Sequence, residues 1–223
     1  TPVMLETLRQ SGLRTVAIAP EAGSERLRQV INKNLTEEQI LNAVTAVVGS
    51  GIPNLRLYFM IGLPTETEED IEAIIQLVKR VKHEQLVIGR GQKRLGTITL
   101  SVSSFVPKPF TPFQWVPFSD LAILKRRIKK LKRGLGAVAN VRVHADVPRW
   151  AYIQALLARG DRRLAPLLVT VAQENGSWSK SFKMVNVNPE FYVSRQRNRE
   201  ELFPWDFIDH GVKKDYLWHE YQQ

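Results

Sequence analysis

The sequence predicts an α/β protein whose parallel strands line part of a barrel. Stretches 14–21, 55–61 and 97–105 read as strands, and the helical stretches between them are long enough to make the strands parallel. Each strand alternates an apolar face with a face of small, polar or charged residues. Each also stops at a turn that leads into a helix or an aromatic loop, so the strand ends face one way, as they do where α/β enzymes build active sites. A doubly wound sheet would be apolar on both faces. One polar face suits a part-barrel with helices outside and a polar lumen. Three strands cannot close a barrel. Either other residues complete it, or the open sheet edge pairs with another molecule and gives a dimer.

The elements follow in order. Residues 2–11 read as a helix ending at Gly12, with Val3, Leu5 and Leu8 apolar. In the strand at 14–21, Val16 and Ile18 oppose Ala17, Ala19 and Glu21. Pro20 and Gly23 break that strand, and Ser24 caps a helix from Glu25. After a loop at 32–34, Thr36 and Gln39 form a capping box for a helix with Ile40, Val44 and Val47 inward. The second strand sets Leu55, Leu57, Phe59 and Ile61 against Arg56, Tyr58 and Met60. After the Gly62-Leu63-Pro64 turn, Thr65 and Glu68 predict a further capping box. The helix that follows carries Ile71, Ile74, Ile75, Val78 and Val81, and the polar stretch 82–94 with its two glycines predicts helix end and loop. The third strand sets Ile98, Leu100 and Val102 against Thr97, Thr99, Ser101 and Ser103.

Beyond Phe105 the texture changes, and the proline- and aromatic-rich stretch 106–118 predicts a structured loop over the strand ends. A basic helix follows at 119–135, with Leu124, Ile128, Leu131 and Leu135 as its apolar stripe and the cations outward. Short strands are expected at 140–144 and 183–187, and helices at 150–159, 164–173 and 189–197. The expected domains are 1–118, the half-barrel, and 119–223, a mixed α+β extension.

Composition narrows the function classes. The 223 residues carry a net charge of +10 and no cysteine, which excludes disulfides, thiolate metal sites and cysteine nucleophiles. There is no apolar run of about 18 residues, so no membrane span is expected, and a cytoplasmic protein is anticipated. Much of the positive excess lies at 125–133, KRRIKKLKR, which reads either as a solvated helix face or as an RNA contact. No aromatic residues interleave with it, which weakens the second reading.

Candidate chemistry gathers at the strand ends. Glu21 can accept the two hydroxyls of a ribose, and the free amides at the Ser24 helix start favour an anion. Read structurally, the same residues are a cap with a solvated carboxylate. Gly62 admits close approach of a ligand, Pro64 fixes the turn, and the acidic run 66–70 complements the helix dipole. The Ser/Thr face of the third strand, with Arg56 and Tyr58 beside it, costs stability unless it binds something. His144 with Asp146, and Asp206, Asp209 and His210, lack any metal-ligand spacing. No catalytic residue is assigned and no metal ligand is expected.

PEAGSERL, then FMIGLPTETEEDI, then a strand ending SFVPKPFTPF, resemble the second half of the radical S-adenosylmethionine (SAM) barrel. The subgroup it is similar to is the one preceded by a cobalamin-binding-type domain and related to the methylthiotransferases. RGDRRLAPLL and LFPWDFIDHGVKKDYL resemble the C-terminal extension of one uncharacterised branch.

The resemblance implies a six-stranded part-barrel of which this chain holds the last three strands. It also implies SAM and a 4Fe-4S cluster as cofactors, with cobalamin a further candidate. Glu21 and Ser24 then fall at the ribose, and Met60, Gly62 and Glu66 at the adenine. Val102, Phe105 and Val106 fall where backbone groups meet SAM, and Arg56 is a candidate partner for its carboxylate. The family holds its cluster on three cysteines, and this chain has none. The expectation is therefore an inactive fragment of a radical SAM iron–sulfur enzyme, lacking the half that holds the cluster, with its substrate unassigned. The alternative is a basic RNA-binding module. An unrelated barrel enzyme for a phosphorylated substrate lacks the glycine-rich loop it would need after residues 97–105.

Overall fold

The computed structural model describes residues 2–91 and 95–222. Their contacts form two units, Thr1–Ser104 with Ala122–Pro148, and Phe105–Leu121 with Arg149–Gln223.

The first unit is built on a parallel sheet of β1 (Thr15–Glu21), β2 (Asn54–Ile61), β3 (Ile98–Ser104) and β4 (Val141–Ala145), in that order. Its helices are α1 (Pro2–Gln10), α2 (Glu25–Val30), α3 (Glu37–Gly49), α4 (Glu68–Gly91) and α5 (Leu121–Leu135). The alternation of β2 is realised fully: Leu55, Leu57, Phe59 and Ile61 are buried, Arg56 and Tyr58 are exposed, and Met60 is half-buried. Ile98, Leu100 and Val102 of β3 share the buried face, and Ile71, Ile74, Ile75, Val78 and Val81 of α4 are buried with them.

Several expectations are corrected. The sheet has four strands where three were expected, because Val141 and Val143 pair in register with Ile98 and Leu100. The short strand assigned to the extension thus belongs to the sheet, and the second unit holds no strand among the described residues. The polar stretch from Lys82 is helical as far as Gly91. Gln85 anchors it by donating to the Pro53 carbonyl at 2.8 Å, and Lys82 donates to Gln85 at 2.9 Å. The loop expected at 92–94 lies outside the described residues. The cap of α4 sits two residues beyond the predicted pair: the Asp70 carboxylate accepts the Thr67 amide at 2.8 Å, and Thr65 has a positive φ of 60°. The box at Thr36 and Gln39 forms as predicted.

The second unit contains a 3-10 turn (Pro112–Trp115) and the helices α6 (Pro148–Arg159), α7 (Ala165–Gln173), α8 (Trp178–Met184), α9 (Pro189–Val193) and α10 (Lys214–Gln222). The strand expected at 183–187 is instead the end of α8 and the segment after it, and Trp178 and Phe182, four residues apart, stack on one helix face at 6.0 Å. Trp115, Phe203, Trp205 and Leu217 form one buried hydrophobic cluster of this unit. Buried Gln114 accepts the Trp205 indole N–H at 2.9 Å. All five tryptophans, at 115, 150, 178, 205 and 218, fall in this unit.

Candidate functional site at the strand ends

A bulge ends β1, because its pairing with β2 shifts between Ile18 and Glu21. Bulges re-aim side chains, and here Glu21 takes a left-handed φ of 68°. Its half-exposed carboxylate lies 3.6 Å from the Lys33 ammonium. Ser24 caps α2, accepting the Leu27 amide at 3.1 Å, and donates its hydroxyl to Asp70 at 2.5 Å. Only its second lone pair remains for a ligand. The Asp70 carboxylate also accepts Thr67 Oγ1 at 3.2 Å and pairs with Arg26. Burial opposes its charge, but the bonds from Ser24 and Thr67 and the Arg26 guanidinium hold its carboxyl below the ordinary range. Gly23 explains why the β1 loop sits so close to α4. A Cβ there would stand 2.2 Å from the Ile74 amide nitrogen, so only glycine allows this approach.

The β2–α4 turn is fixed from inside. Gly62 has φ 81°, a conformation that favours glycine. Its N–H is accepted by Glu66 Oε2 at 2.6 Å. The Glu66 carboxylate is buried and pairs with Arg127 Nη1 at 2.5 Å, while Arg127 Nη2 donates to the Glu66 carbonyl at 2.8 Å. Glu66 Oε1 is buried without a partner. Burial pushes the Glu66 carboxyl up to about 7, outweighing the Gly62 amide and Arg127.

The basic helix therefore does more than face solvent. Arg127 lies inward, contrary to the expectation for its cations, and it occupies the apolar stripe between Leu124 and Leu131. Arg126 donates to the Glu68 carboxylate at 3.2 Å and Lys130 to the Glu68 carbonyl at 2.8 Å. Three cations of the run thus hold the start of α4, and Lys125, Lys129, Lys132 and Arg133 stay exposed.

The polar face of the sheet is wider than expected. Arg56, Thr99 and Arg142 occupy one register row, with Ala17 next to Arg56. Tyr58, Ser101 and His144 occupy the next. The sequence reading missed Arg142 and His144 as members of this face. The signal was the alternation Val-Arg-Val-His, which places both opposite Val141 and Val143. Arg127 was likewise legible from its spacing to Leu124 and Leu131.

Glu21, Ser24, Met60, Gly62 and Glu66 lie at or just beyond the C-terminal ends of β1 and β2, and Arg56 lies mid-strand. The Val102 side chain is buried and its carbonyl accepts the Asp146 amide at 2.9 Å. Phe105 and Val106 belong to the second unit, where Phe105 packs edge-on against Phe113 at 5.5 Å.

The donor set at the ends of β1 and β2 offers groups that could hold SAM, a carboxylate at Glu21 and a turn opened by glycine beside half-buried Met60, with the Arg56 guanidinium farther back along β2. It does not fit a 4Fe-4S cluster. The chain has no thiolate, and among the described residues no three His, Asp or Glu side chains gather as a metal site. Among these residues, too, no helix is long and apolar enough to cross a membrane.

Residues 1–78 match the model of the Radical SAM superfamily. The matched stretch includes β1, β2 and the turn at Gly62. An uncharacterized protein of Methanocaldococcus jannaschii is 40% identical over 155 residues, 70% of this chain and 32% of that protein. A tRNA-2-methylthio-N(6)-dimethylallyladenosine synthase of Thermotoga petrophila is 31% identical over 87 residues, 38% of this chain and 19% of the synthase. An uncharacterized methyltransferase of Pyrococcus horikoshii is 33% identical over 76 residues, 34% of this chain and 16% of that protein. The chain thus spans a third or less of the length of each of these relatives.

Proposed function

We propose that this chain forms the SAM-binding edge of a radical SAM oxidoreductase or transferase, and that residues other than these 223 hold the cluster. The β2–α4 turn carries the reading. It lies in the stretch that matches the superfamily, and Glu66 locks its Gly62 open beside Met60. In this reading Glu21 accepts the ribose hydroxyls, Met60 and Gly62 lie against adenine, and Arg56 meets the carboxylate. Glu66 acts from beneath as a positioning residue, since its side chain is only 1% exposed. SAM, when bound, supplies a carbon–sulfur bond that breaks on reduction. The chain itself binds and orients it but carries no reductant. The names of two of the relatives, a tRNA-modifying synthase and a methyltransferase, favour group transfer.

Calorimetric titration with S-adenosylhomocysteine tests this. Glu21→Ala and Arg56→Ala should each weaken binding at least fivefold, about 1 kcal/mol, with far-UV circular dichroism unchanged. No binding by the wild type, or full binding by Glu21→Ala, would overturn the assignment. Reductive SAM cleavage by this chain alone would refute the claim that the cluster is held elsewhere.

A further inference from the structure

We infer that the β3–β4 half of the polar face binds a phosphate-bearing ligand through Arg142, His144, Thr99 and Ser101. Register pairing places Arg142 beside Thr99 and His144 beside Ser101. Parallel strands lie about 4.8 Å apart and residues two apart are about 6.6 Å apart. The four side chains therefore rise from the corners of one small rectangle on one face of the sheet. Two corners carry hydroxyls, which donate to an anion, and two carry nitrogen donors. Arginine matches phosphate geometry with paired N–H groups, and imidazole adds a directional donor.

Both nitrogen-bearing side chains are exposed, and neither the Arg142 nor the Arg56 guanidinium has a hydrogen-bond or ion-pair partner among the described residues. The cations of α5 that matter to the fold behave differently, since Arg126, Arg127 and Lys130 are paired with Glu66 and Glu68. Arg56 stands on the other side of Thr99 in the same row, so a second guanidinium adds to the positive field there. Asp146 follows His144 along the chain and is exposed. Its charge opposes an anion at the His144 end, so Arg142 and Thr99 supply the larger share of the binding and His144 and Ser101 the smaller. Ala17, small and exposed, continues the row beyond Arg56. A phosphate loop is built from glycine-rich backbone. This site would use side chains, which is why no glycine signature marks it in the sequence.

Inorganic phosphate, titrated into the full chain at constant ionic strength and followed by amide chemical shifts, provides the test. Saturable shifts should centre on Thr99, Ser101, Arg142 and His144. Arg142→Ala should weaken binding at least tenfold, and Thr99→Val, which keeps the shape and removes the hydroxyl, at least threefold. Arg142→Lys serves as the second variant, with retained charge, intact fold and a loss of at least threefold. Shifts centred on Lys125, Lys129, Lys132 and Arg133 would overturn the proposal, as would Arg142→Ala binding within twofold of wild type. A failure of S-adenosylhomocysteine to bind would count against the SAM reading and leave this site standing.

Discussion

Replacing Glu66 by glutamine separates the shape of the β2–α4 turn from its charge. The amide keeps an oxygen for the Gly62 N–H and removes the titrating proton. In the wild type the carboxyl is pushed from 4.5 to about 7 by burial. Below pH 4.5 it is protonated both folded and unfolded, and its ionisation contributes nothing. Between pH 4.5 and 7 the unfolded chain gives up the proton while the folded chain retains it, so stability falls as pH rises. Above 7 both are ionised and the loss is complete, amounting to about 3 kcal/mol for a shift of this size. The lost charge pair with Arg127 adds an offset to the variant, but the glutamine does not titrate. Urea denaturation followed by far-UV circular dichroism, with hydrogen exchange at the Leu57 and Phe59 amides to report the sheet, gives the two pH profiles. The wild type should lose about 3 kcal/mol relative to Glu66→Gln between pH 4 and pH 8. Parallel profiles, or a wild type that gains stability with pH, would refute the reasoning and mean that Arg127 outweighs burial.

Two further substitutions probe the two units separately. Gly23→Ala places a methyl 2.2 Å from the Ile74 amide nitrogen, and a helix backbone cannot move aside cheaply. The thermal midpoint should fall by an amount matching about 2–4 kcal/mol, and an unchanged midpoint would show that the loop and α4 are not held in contact. Gln114→Leu leaves the Trp205 indole N–H buried and unpaired, at about 1–3 kcal/mol. Denaturation of the variant should show that loss, and an unchanged midpoint would mean that the Gln114–Trp205 bond does not hold this unit.

The fold was most legible where periodicity and burial agree. Alternation along β2 and the apolar spacing of α4 each state one buried face, and both faces are buried as read. Short elements were less legible. The five residues of β4 carry too few positions to show which sheet they join, and only pairing with β3 settles it. Lysine 82 and Gln85 look like the end of a helix because their chemistry is polar, yet each is buried against a neighbour that satisfies it. The site divides the same way. Gly62 and Pro64 declare their turn in sequence, whereas the spacing of Arg127 to Leu124 and Leu131 shows only that it turns inward and not what it meets. Its partner, Glu66, lies 61 residues earlier in the chain, and no local pattern connects the two.

The placement of the tryptophans has an optical consequence. Since all five belong to the second unit, every indole emitter of this chain is a residue of that unit, and the sheet contributes none. A ligand that settles beside Glu21 or Arg142 has no indole of its own unit to quench. The sheet of the first unit carries no indole emitter of its own that could report a ligand.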